Sequence, residues 1–400
     1  MVVEAPIRND IDEIMPGVIA DRRHLHEHPE LGFQEHKTAR LVAERLESLG
    51  VEDIRTGINK TGVTGLIRGT AGGGEGKVVL VRADMDALPI VEENAVEYKS
   101  HHDGVMHACG HDAHTAMLLG LARVLTERRD QFAGTVKVLF QPAEELPPGG
   151  AKGMIAEGVL NEPHVDAVFG LHVAQEEAVG TIHVGAGPVM AAADRFSIHI
   201  KAKGGHGAAP HDCIDPIAVG AQIVSSLQTL VSREVDPIRH AVVSVCTFHA
   251  GNAFNVIPDT AELSGTVRSF DPDVRDLLQD RIAALATGIG AAMRAKVEVT
   301  YDRGYPATVN DEAMTAIVRD AATAVVGADR VHTKKPQMGA EDFSYFLLER
   351  PGCFFFVGSK NEAEGLVWGH HHPRFDIDEE CMTAGIGTMA TTVLNFLEQA

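Results

Sequence analysis

The spacing of apolar residues predicts alternating helices and strands over residues 1–188. Ile7, Ile11 and Ile14 recur at helical spacing. The runs VTGLIRG and KVVLVRAD are typical of strands, and the AGGGEG turn between them favours a hairpin. Further helices are predicted at 38–49, 111–127 and 151–160, and further strands at TVKVLF and AVFGLHV.

This alternation is typical of an α/β fold with a mixed, largely parallel sheet flanked by helices. In such sheets ligands gather at the carboxyl ends of the strands. Several acidic side chains and one histidine directly follow strand-like runs, and these are Asp84, Asp86, Glu144, Glu145 and His172. We therefore expect a functional site at this edge of the sheet.

The rhythm changes over residues 189–304. Strand RFSIHIKAK, a helix at 216–231, two strands within 241–270, a helix at 272–293 and strand KVEVTYD follow one another. The order β-α-β-β-α-β is that of a ferredoxin-like unit. The sequence thus predicts a first domain of residues 1–188 and 305–400, with an α+β domain of residues 189–304 inserted into it.

Composition excludes several classes of protein. The 400 residues include 35 Lys and Arg against 56 Asp and Glu, a net charge of −21, which is unsuited to a nucleic-acid partner. No apolar run in the sequence approaches the roughly 18 residues needed to span a bilayer. The opening MVVEAPIRND has neither the basic nor the apolar region of a leader. The five scattered cysteines lack a CxxC pair and do not suggest a disulfide framework. We expect a soluble, cytoplasmic protein without a membrane partner.

Two clusters carry candidate chemistry. In MHACGHDAH, Cys109 and His111 are placed to bind one zinc-like ion, although a buried thiol beside a solvent-facing histidine is the alternative. In QPAEE, adjacent Glu144 and Glu145 point in different directions, so that one could bind a metal while the other acts as a general base. Glutamate pairs are also common on solvated surfaces.

Three other places offer metal ligands or partners. His172 ends a strand-like run, GHHHPRFD supplies His370, His371 and His372, and Asp86 could orient a metal-bound histidine or cap a turn. Together these residues provide enough donors for two divalent ions with open positions, an arrangement that activates water and polarises a carbonyl.

These segments together resemble the di-metal amidohydrolase and metallopeptidase family that contains aminoacylase, hippurate hydrolase and the indole-acetyl-amino-acid hydrolases. The resemblance covers nearly the whole chain and is closest to the N-acyl-amino-acid amidohydrolase branch. It rests on HEHPELGFQE, ADMDALP, MHACGHDAHTAMLLG, QPAEE, GGAKGMI, GLHV, GGHGAAPH, GNAFNVIP, GTVRSF, GAEDFSYF and HHPRFD.

The resemblance implies a role for each site residue. The metal ligands would be Cys109, His111, Glu145, His172 and His371, the last because the motif places its histidine two residues before Pro373. Glu144 would be the catalytic base, and Asp86 would orient a ligand. The domain of residues 1–188 and 305–400 would hold the metals and catalyse, and the inserted domain would serve as a lid or for dimerisation. In the inserted domain, His206 would polarise the substrate carbonyl from the same or a neighbouring subunit of a dimer. Asn255 and Arg268 would bind the substrate, and Arg268 would bind its free carboxylate.

The expected activity is hydrolysis of N-acyl-amino acids to a carboxylic acid and an amino acid. Two divalent ions per chain would be required, with zinc favoured by the thiolate and manganese, cobalt or nickel as alternatives. A carboxypeptidase or dipeptidase acting on short peptides is the nearest rival. A metal-binding protein without catalysis is a further alternative, against which the intact pair of glutamates argues.

Overall fold

The computed structural model describes residues 6–73 and 76–399. The first five residues of MVVEAPIRND, for which the sequence predicts no leader, lie outside this range, as do Gly74 and Glu75 of the predicted AGGGEG turn. The chain divides into two compact units. The first comprises the residues up to Val189, Val309–Lys335 and the chain from Asp342 onward, and the second comprises Met190–Thr308 and Pro336–Glu341.

The first unit is built on an eight-stranded mixed sheet with the order β1-β2-β4-β3-β5-β16-β6-β15. Its strands are β1 (Glu52–Ile58), β2 (Gly62–Arg68), β3 (Val78–Asp84), β4 (Thr135–Gln141), β5 (Ala167–Ala178), β6 (Ile182–His183), β15 (Val331–His332) and β16 (Gly352–Lys360). The central strands β4, β3, β5 and β16 are mutually parallel. They are almost wholly buried, as their continuous apolar runs require.

Helices surround this sheet and close the core. They are α1 (Pro6–Glu27), α2 (His36–Ser48), α3 (His111–Glu127), α4 (Ala151–Ala156), α7 (Glu312–Val326), α8 (Ser344–Glu349) and α9 (Cys381–Glu398). Ile11 and Ile14 on α1 are buried in the main hydrophobic cluster, as their helical spacing predicts. The α/β fold with a mixed sheet flanked by helices is thus confirmed. Among the described residues, no helix is both long and apolar enough to cross a membrane.

The predicted hairpin between VTGLIRG and KVVLVRAD is wrong. β2 instead pairs antiparallel with β1 on one side and with β4 on the other. β4 therefore lies between β2 and β3, and β3 pairs only with the parallel strands β4 and β5. β1, which the sequence did not predict, is the edge strand that completes this side of the sheet.

The second unit contains a four-stranded antiparallel sheet with the order β10-β12-β8-β13. Its main elements are β8 (Ala192–Lys201), α5 (Pro216–Thr229), β10 (Ala241–Ala250), β12 (Thr260–Ser269), α6 (Pro272–Ala292) and β13 (Lys296–Arg303). Both helices pack on the sheet and on each other. This chain order and strand order are those of a ferredoxin-like unit. A lid or dimerisation role for the unit stays a prediction.

Two pairs of short strands lie outside the two larger sheets of the described chain. β9 (Gly205–His206) and β11 (Val256–Ile257) pair antiparallel within the second unit. β7 (Gly187–Met190) and β14 (Thr308–Asn310) lie where the chain passes from one unit to the other. The segment Pro336–Glu341, which the sequence prediction assigned to the first domain, groups with the second unit.

Candidate metal centre

The predicted metal ligands meet at the carboxyl edge of the parallel strands in the first unit. Asp84 ends β3, Glu144 follows the end of β4, and His172 lies on β5. His111 begins α3, directly after Gly110, whose φ of 89° is left-handed. A Cβ on Gly110 would overlap Val173. Glycine therefore lets the loop carrying Cys109 approach β5 closely enough to join the site.

Among the groups of donor atoms around Cys109 and His111, three contain the predicted ligands and the predicted base. Within each group all donor atoms lie within 4.8 Å of one another. The groups are Cys109, His111 and His172; Cys109, Glu145 and His371; and His111, Glu144 and Glu145. The Sγ of Cys109 is 3.5 Å from Nε2 of His172. All five predicted ligands and the predicted base thus lie in one cluster.

The chemistry of this cluster fits divalent ions. Nδ1 of His111 lies 2.9 Å from the main-chain oxygen of Asp86. Because a carbonyl oxygen can only accept a hydrogen bond, Nδ1 carries a proton and donates it. Nε2 of His111 is buried and has no hydrogen-bond partner. A buried nitrogen without a partner, beside a thiol and carboxylates, is costly unless a cation fills the space between them. Thiolate, imidazole and carboxylate together suit a borderline ion such as zinc.

The electrostatics of the cluster lead to the same conclusion. Burial raises the pKa of the Cys109 thiol far above its usual range, and Glu145 and Glu144 raise it further. Burial opposes the charged form of His111, yet Asp84 and Asp86 raise its pKa to about 10. The site therefore attracts positive charge, and protons would compete with a metal ion for these donors.

Asp86 holds the loop that carries the two glutamates. Its Oδ1 accepts the N–H of Glu144 and its Oδ2 accepts the N–H of Glu145, both at 3.0 Å. Oδ1 also lies 3.3 Å from Nδ1 of His111. One buried carboxylate thus fixes a ligand ring and the backbone beneath both glutamates. This geometry suits the orienting role that the resemblance implies for Asp86, and it shows no route by which Asp86 itself would react.

Glu35 is a further support of the same loop that the sequence analysis missed. Its side chain is fully buried; Oε1 accepts the N–H of Ala143 at 2.8 Å and Oε2 accepts the hydroxyl of Thr61 at 2.6 Å. Ala143 has a φ of 52°, a conformation that costs free energy in a residue other than glycine. The N–H groups of Ala143, Glu144 and Glu145 are therefore all bound by buried carboxylates.

A second buried network locks β3 to α3. Nδ1 of His114 donates to Asp84 Oδ1 at 2.6 Å, and its Nε2 accepts the N–H of Val173 at 2.9 Å. Burial lowers the pKa of His114 to about 4, so the ring is neutral. Burial would raise the pKa of Asp84, but Arg82 and His111 hold it well below its usual range. Asp84 is consequently a permanent negative charge next to His111.

Both His370 and His371 lie at the cluster. Nε2 of His371 is 2.9 Å from Oε1 of Glu145. Nδ1 of His370 is 3.8 Å from the Sγ of Cys109. His371, the predicted ligand, thus neighbours another predicted ligand, and His370 lies beside the thiol. The motif spacing that selects His371 stays the basis for preferring it.

The predicted substrate-binding residues lie in the second unit, at two separate places. His206 on β9 and Asn255 just before β11 are exposed neighbours, joined by the N–H of Gly207, which donates to the Asn255 carbonyl at 2.8 Å. Asp259, which leads into β12, accepts the N–H of Gly204 at 2.8 Å. His206 and Asn255 therefore lie at the start of β12.

Arg268 lies near the opposite end of β12. It is half-buried, and burial lowers the pKa of its guanidinium. Its Nε donates to the Met338 carbonyl at 3.2 Å, and its remaining hydrogen bonds are to Thr266 and the Val267 carbonyl. Within the described part of the chain, no carboxylate forms an ion pair with it. A desolvated guanidinium that contacts only neutral oxygens is suited to bind an anionic ligand.

Comparison with known proteins agrees with this geometry. The sequence profile of the peptidase family M20/M25/M40 matches residues 80–395. An N-acyl-L-amino acid amidohydrolase of Geobacillus stearothermophilus is 48% identical over 76% of this chain and 80% of its own. Thermostable carboxypeptidase 2 of Saccharolobus solfataricus is 42% identical over 98% of both chains.

A solved structure shows the same similarity in three dimensions. A dinuclear metal-binding peptidase of Bacillus subtilis from the M20 family superposes with a TM-score of 0.84 and 38% identity. The superposition covers 97% of this chain and 99% of the other. The chain therefore belongs to the peptidase family M20/M25/M40 and is a metal-dependent hydrolase of amide bonds.

Proposed function

We propose that the protein hydrolyses the amide bond of N-acyl-amino acids, releasing a carboxylic acid and a free amino acid. The observation that carries the proposal is the position of Glu144. Its carboxylate lies in the donor cluster with His111 and Glu145, although five other residues already supply ligands. A buried carboxylate beside a metal centre that is not itself one of the proposed ligands is better suited to transfer a proton than to support the fold.

The ligand set we propose for two divalent ions is Cys109, His111, Glu145, His172 and His371. When bound, such ions supply Lewis acidity and lower the pKa of water. Zinc is favoured because Cys109 contributes a thiolate, and manganese, cobalt and nickel are alternatives. Support comes from the orphaned Nε2 of His111 and from a family relative that is itself dinuclear.

The protein side chains supply the proton transfers. A carboxylate oxygen of Glu144 takes a proton from the attacking water and later delivers it to the leaving nitrogen. Asp86 and Glu35 hold the loop beneath Glu144, so that the carboxylate needs little reorganisation during the reaction. Burial of Glu144, which is 7% exposed, strengthens its interaction with the reacting groups.

Substrate recognition falls to the second unit. Arg268 would bind the free carboxylate of the amino-acid part, because its charge is desolvated and not neutralised by an ion pair. His206 and Asn255 would stabilise the substrate carbonyl and its developing oxyanion. The first residue of β12 and Arg268 are eight positions apart, which corresponds to about 26 Å of strand. A small substrate cannot touch both ends, so we infer that His206 and Asn255 act on the site of a neighbouring subunit.

A homodimer is consistent with the surface of the second unit. β10 is an edge strand, and its residues Cys246–His249 are exposed. Phe254 and Val256, close to His206 in the chain fold, are exposed as well. An unpaired strand edge beside exposed apolar side chains is a natural site for pairing with a second copy. A cytoplasmic location stays a prediction.

A carboxypeptidase or dipeptidase activity is the second candidate. A relative of similar length is named a carboxypeptidase, and Arg268 would bind the C-terminal carboxylate of a peptide equally well. The two activities differ in whether the acyl part carries an α-amino group. Nothing in the metal cluster distinguishes these substrates.

A hydrolysis panel on metal-loaded protein separates the candidates. Acetyl- and benzoyl-amino acids are compared with dipeptides of the same C-terminal residue, and ions per chain are measured on the same sample. The proposal predicts a higher kcat/KM for the N-acyl compounds. A preference for dipeptides would replace it with the peptidase alternative, and no hydrolysis of either series by protein with two ions bound would refute both.

A further inference from the structure

A cluster of histidines lies at the carboxyl end of α1, apart from the proposed catalytic residues. His24 and Glu27 lie in the last turn of α1, and His28 directly follows its last residue. Their donor atoms all lie within 4.8 Å of one another. The rings of His24 and His28 have centroids 4.7 Å apart. Two imidazoles and a carboxylate thus already converge.

Two further imidazoles approach from a loop. The ring centroids of His101 and His102 lie 5.3 Å and 6.2 Å from that of His28. The loop is fixed to the end of the helix because the N–H of His101 donates to the Glu27 carbonyl at 2.9 Å. Four histidines on two segments that are held together by a backbone hydrogen bond form a preorganised group of nitrogen donors.

Glu27 and the end of the helix attract a cation to the cluster, whereas Lys37 and Arg40, which line the same cavity as His24 and His28, oppose it. The helix ends here, and its unsatisfied carbonyl groups carry partial negative charge. His24 and His101 are exposed, so an ion can reach the cluster from solvent.

We propose that His24, Glu27 and His28, with His101 or His102, form a peripheral site for one divalent transition-metal ion of the zinc, nickel or copper class. Imidazole donors select this class over magnesium or calcium. Donors bound to a tetrahedral ion at about 2.1 Å lie roughly 3.4 Å apart. The donor atoms of His24, Glu27 and His28 already lie within 4.8 Å of one another, so small side-chain rotations would bring these three to that spacing.

Such an ion would clamp the loop of His101 and His102 to α1. The same loop leads on to Cys109, whereas none of the four histidines is among the proposed catalytic ligands. This site is independent of the proposed function, because it would bind its ion whether or not the protein cleaves N-acyl-amino acids.

Metal titration of the full-length protein tests the proposal. Zinc or nickel binding is followed by calorimetry, and ions per chain are counted after gel filtration, for wild type and for the His24→Ala/His28→Ala double variant. The matched control is His211→Ala, which removes an exposed histidine of the second unit. We expect the double variant to bind one ion fewer per chain and the control to match wild type.

Two additional measurements keep the test decisive. His24→Ala alone, a change at an exposed position, should weaken the binding of the extra ion at least tenfold even if the double variant folds poorly. Copper bound at this site should show nitrogen hyperfine coupling in its electron paramagnetic resonance spectrum, and His24→Ala should alter it. Equal stoichiometry and equal affinity in wild type and His24→Ala would overturn the proposal, as would extra binding that appears only at millimolar metal.

Discussion

Replacing Asp86 with asparagine probes how the reactive loop is held. The carboxylate accepts the N–H groups of both Glu144 and Glu145, each at 3.0 Å. Asparagine has nearly the same shape but only one accepting oxygen, so its amide N–H₂ must face one of these two donors. The ring of His111 keeps its 2.9 Å hydrogen bond to the main-chain oxygen of residue 86, which the substitution leaves in place.

The expected loss follows from this geometry. A hydrogen bond to a charged acceptor contributes about 1.5–3 kcal/mol, and one of two is removed. If the substitution destabilises the reactive conformation of the loop by that free energy, kcat/KM falls about 10-fold to 150-fold. The assay is steady-state hydrolysis of an N-acyl-amino acid, with ions per chain measured on each sample. We expect metal content close to that of wild type.

A matched substitution separates this effect from a general one. Asp166 also accepts a backbone N–H, that of Val78 at 2.7 Å, but at the opposite end of β3. Asp166→Asn should leave kcat/KM within about twofold of wild type. Asp86→Asn activity within twofold of wild type would refute the account of the loop. A loss of bound ions as large as the loss of activity would show instead that Asp86 acts through His111.

Two other predictions concern charge. Arg268→Met should raise KM for substrates with a free carboxylate by about 10-fold or more, because it removes a charge-assisted contact; an unchanged KM would exclude Arg268 from carboxylate binding. His26 is buried, which opposes its charge, but hydrogen bonds to Asp112 and Glu92 raise its pKa from 6.5 to about 9. Protonation of the ring therefore stabilises the fold by about 3 kcal/mol. This stabilisation is complete below about pH 6.5 and is lost as the pH rises through 9. Urea unfolding at these two pH values should show the difference in wild type but not in His26→Gln; equal pH dependence would contradict it.

The sequence predicted the fold well where its pattern was continuous. β3 and β4 are central strands with uninterrupted apolar runs, and the helix at 111–127 was predicted with the bounds that the structure has. β1 could not be recognised, because an edge strand with mostly exposed or half-exposed residues carries little apolar pattern. Without β1, the turn-like glycines suggested the wrong partner for β2. Pairing between strands is decided by tertiary packing that a local pattern does not contain.

The candidate site shows the same division. Its ligands were identified because reactive residue types cluster in short motifs and follow strands. Glu35 was missed because it stands in a polar segment, HEHPELGFQEH, that is typical of a surface. Only folding brings it to Ala143, a residue 108 positions later. The separation of His206 from Arg268 along β12 was likewise invisible before the strand register was known.

The measurement that tests the central claim most directly is the turnover of Glu144→Gln with its metal content counted. Glutamine has nearly the same size as glutamate and keeps the backbone N–H that donates to Asp86, but its side-chain amide cannot take up a proton. We predict unchanged ions per chain and a fall in kcat of about 100-fold to 10,000-fold on an N-acyl-amino acid. Near-normal turnover with the ions in place would contradict the assignment of Glu144 as the base.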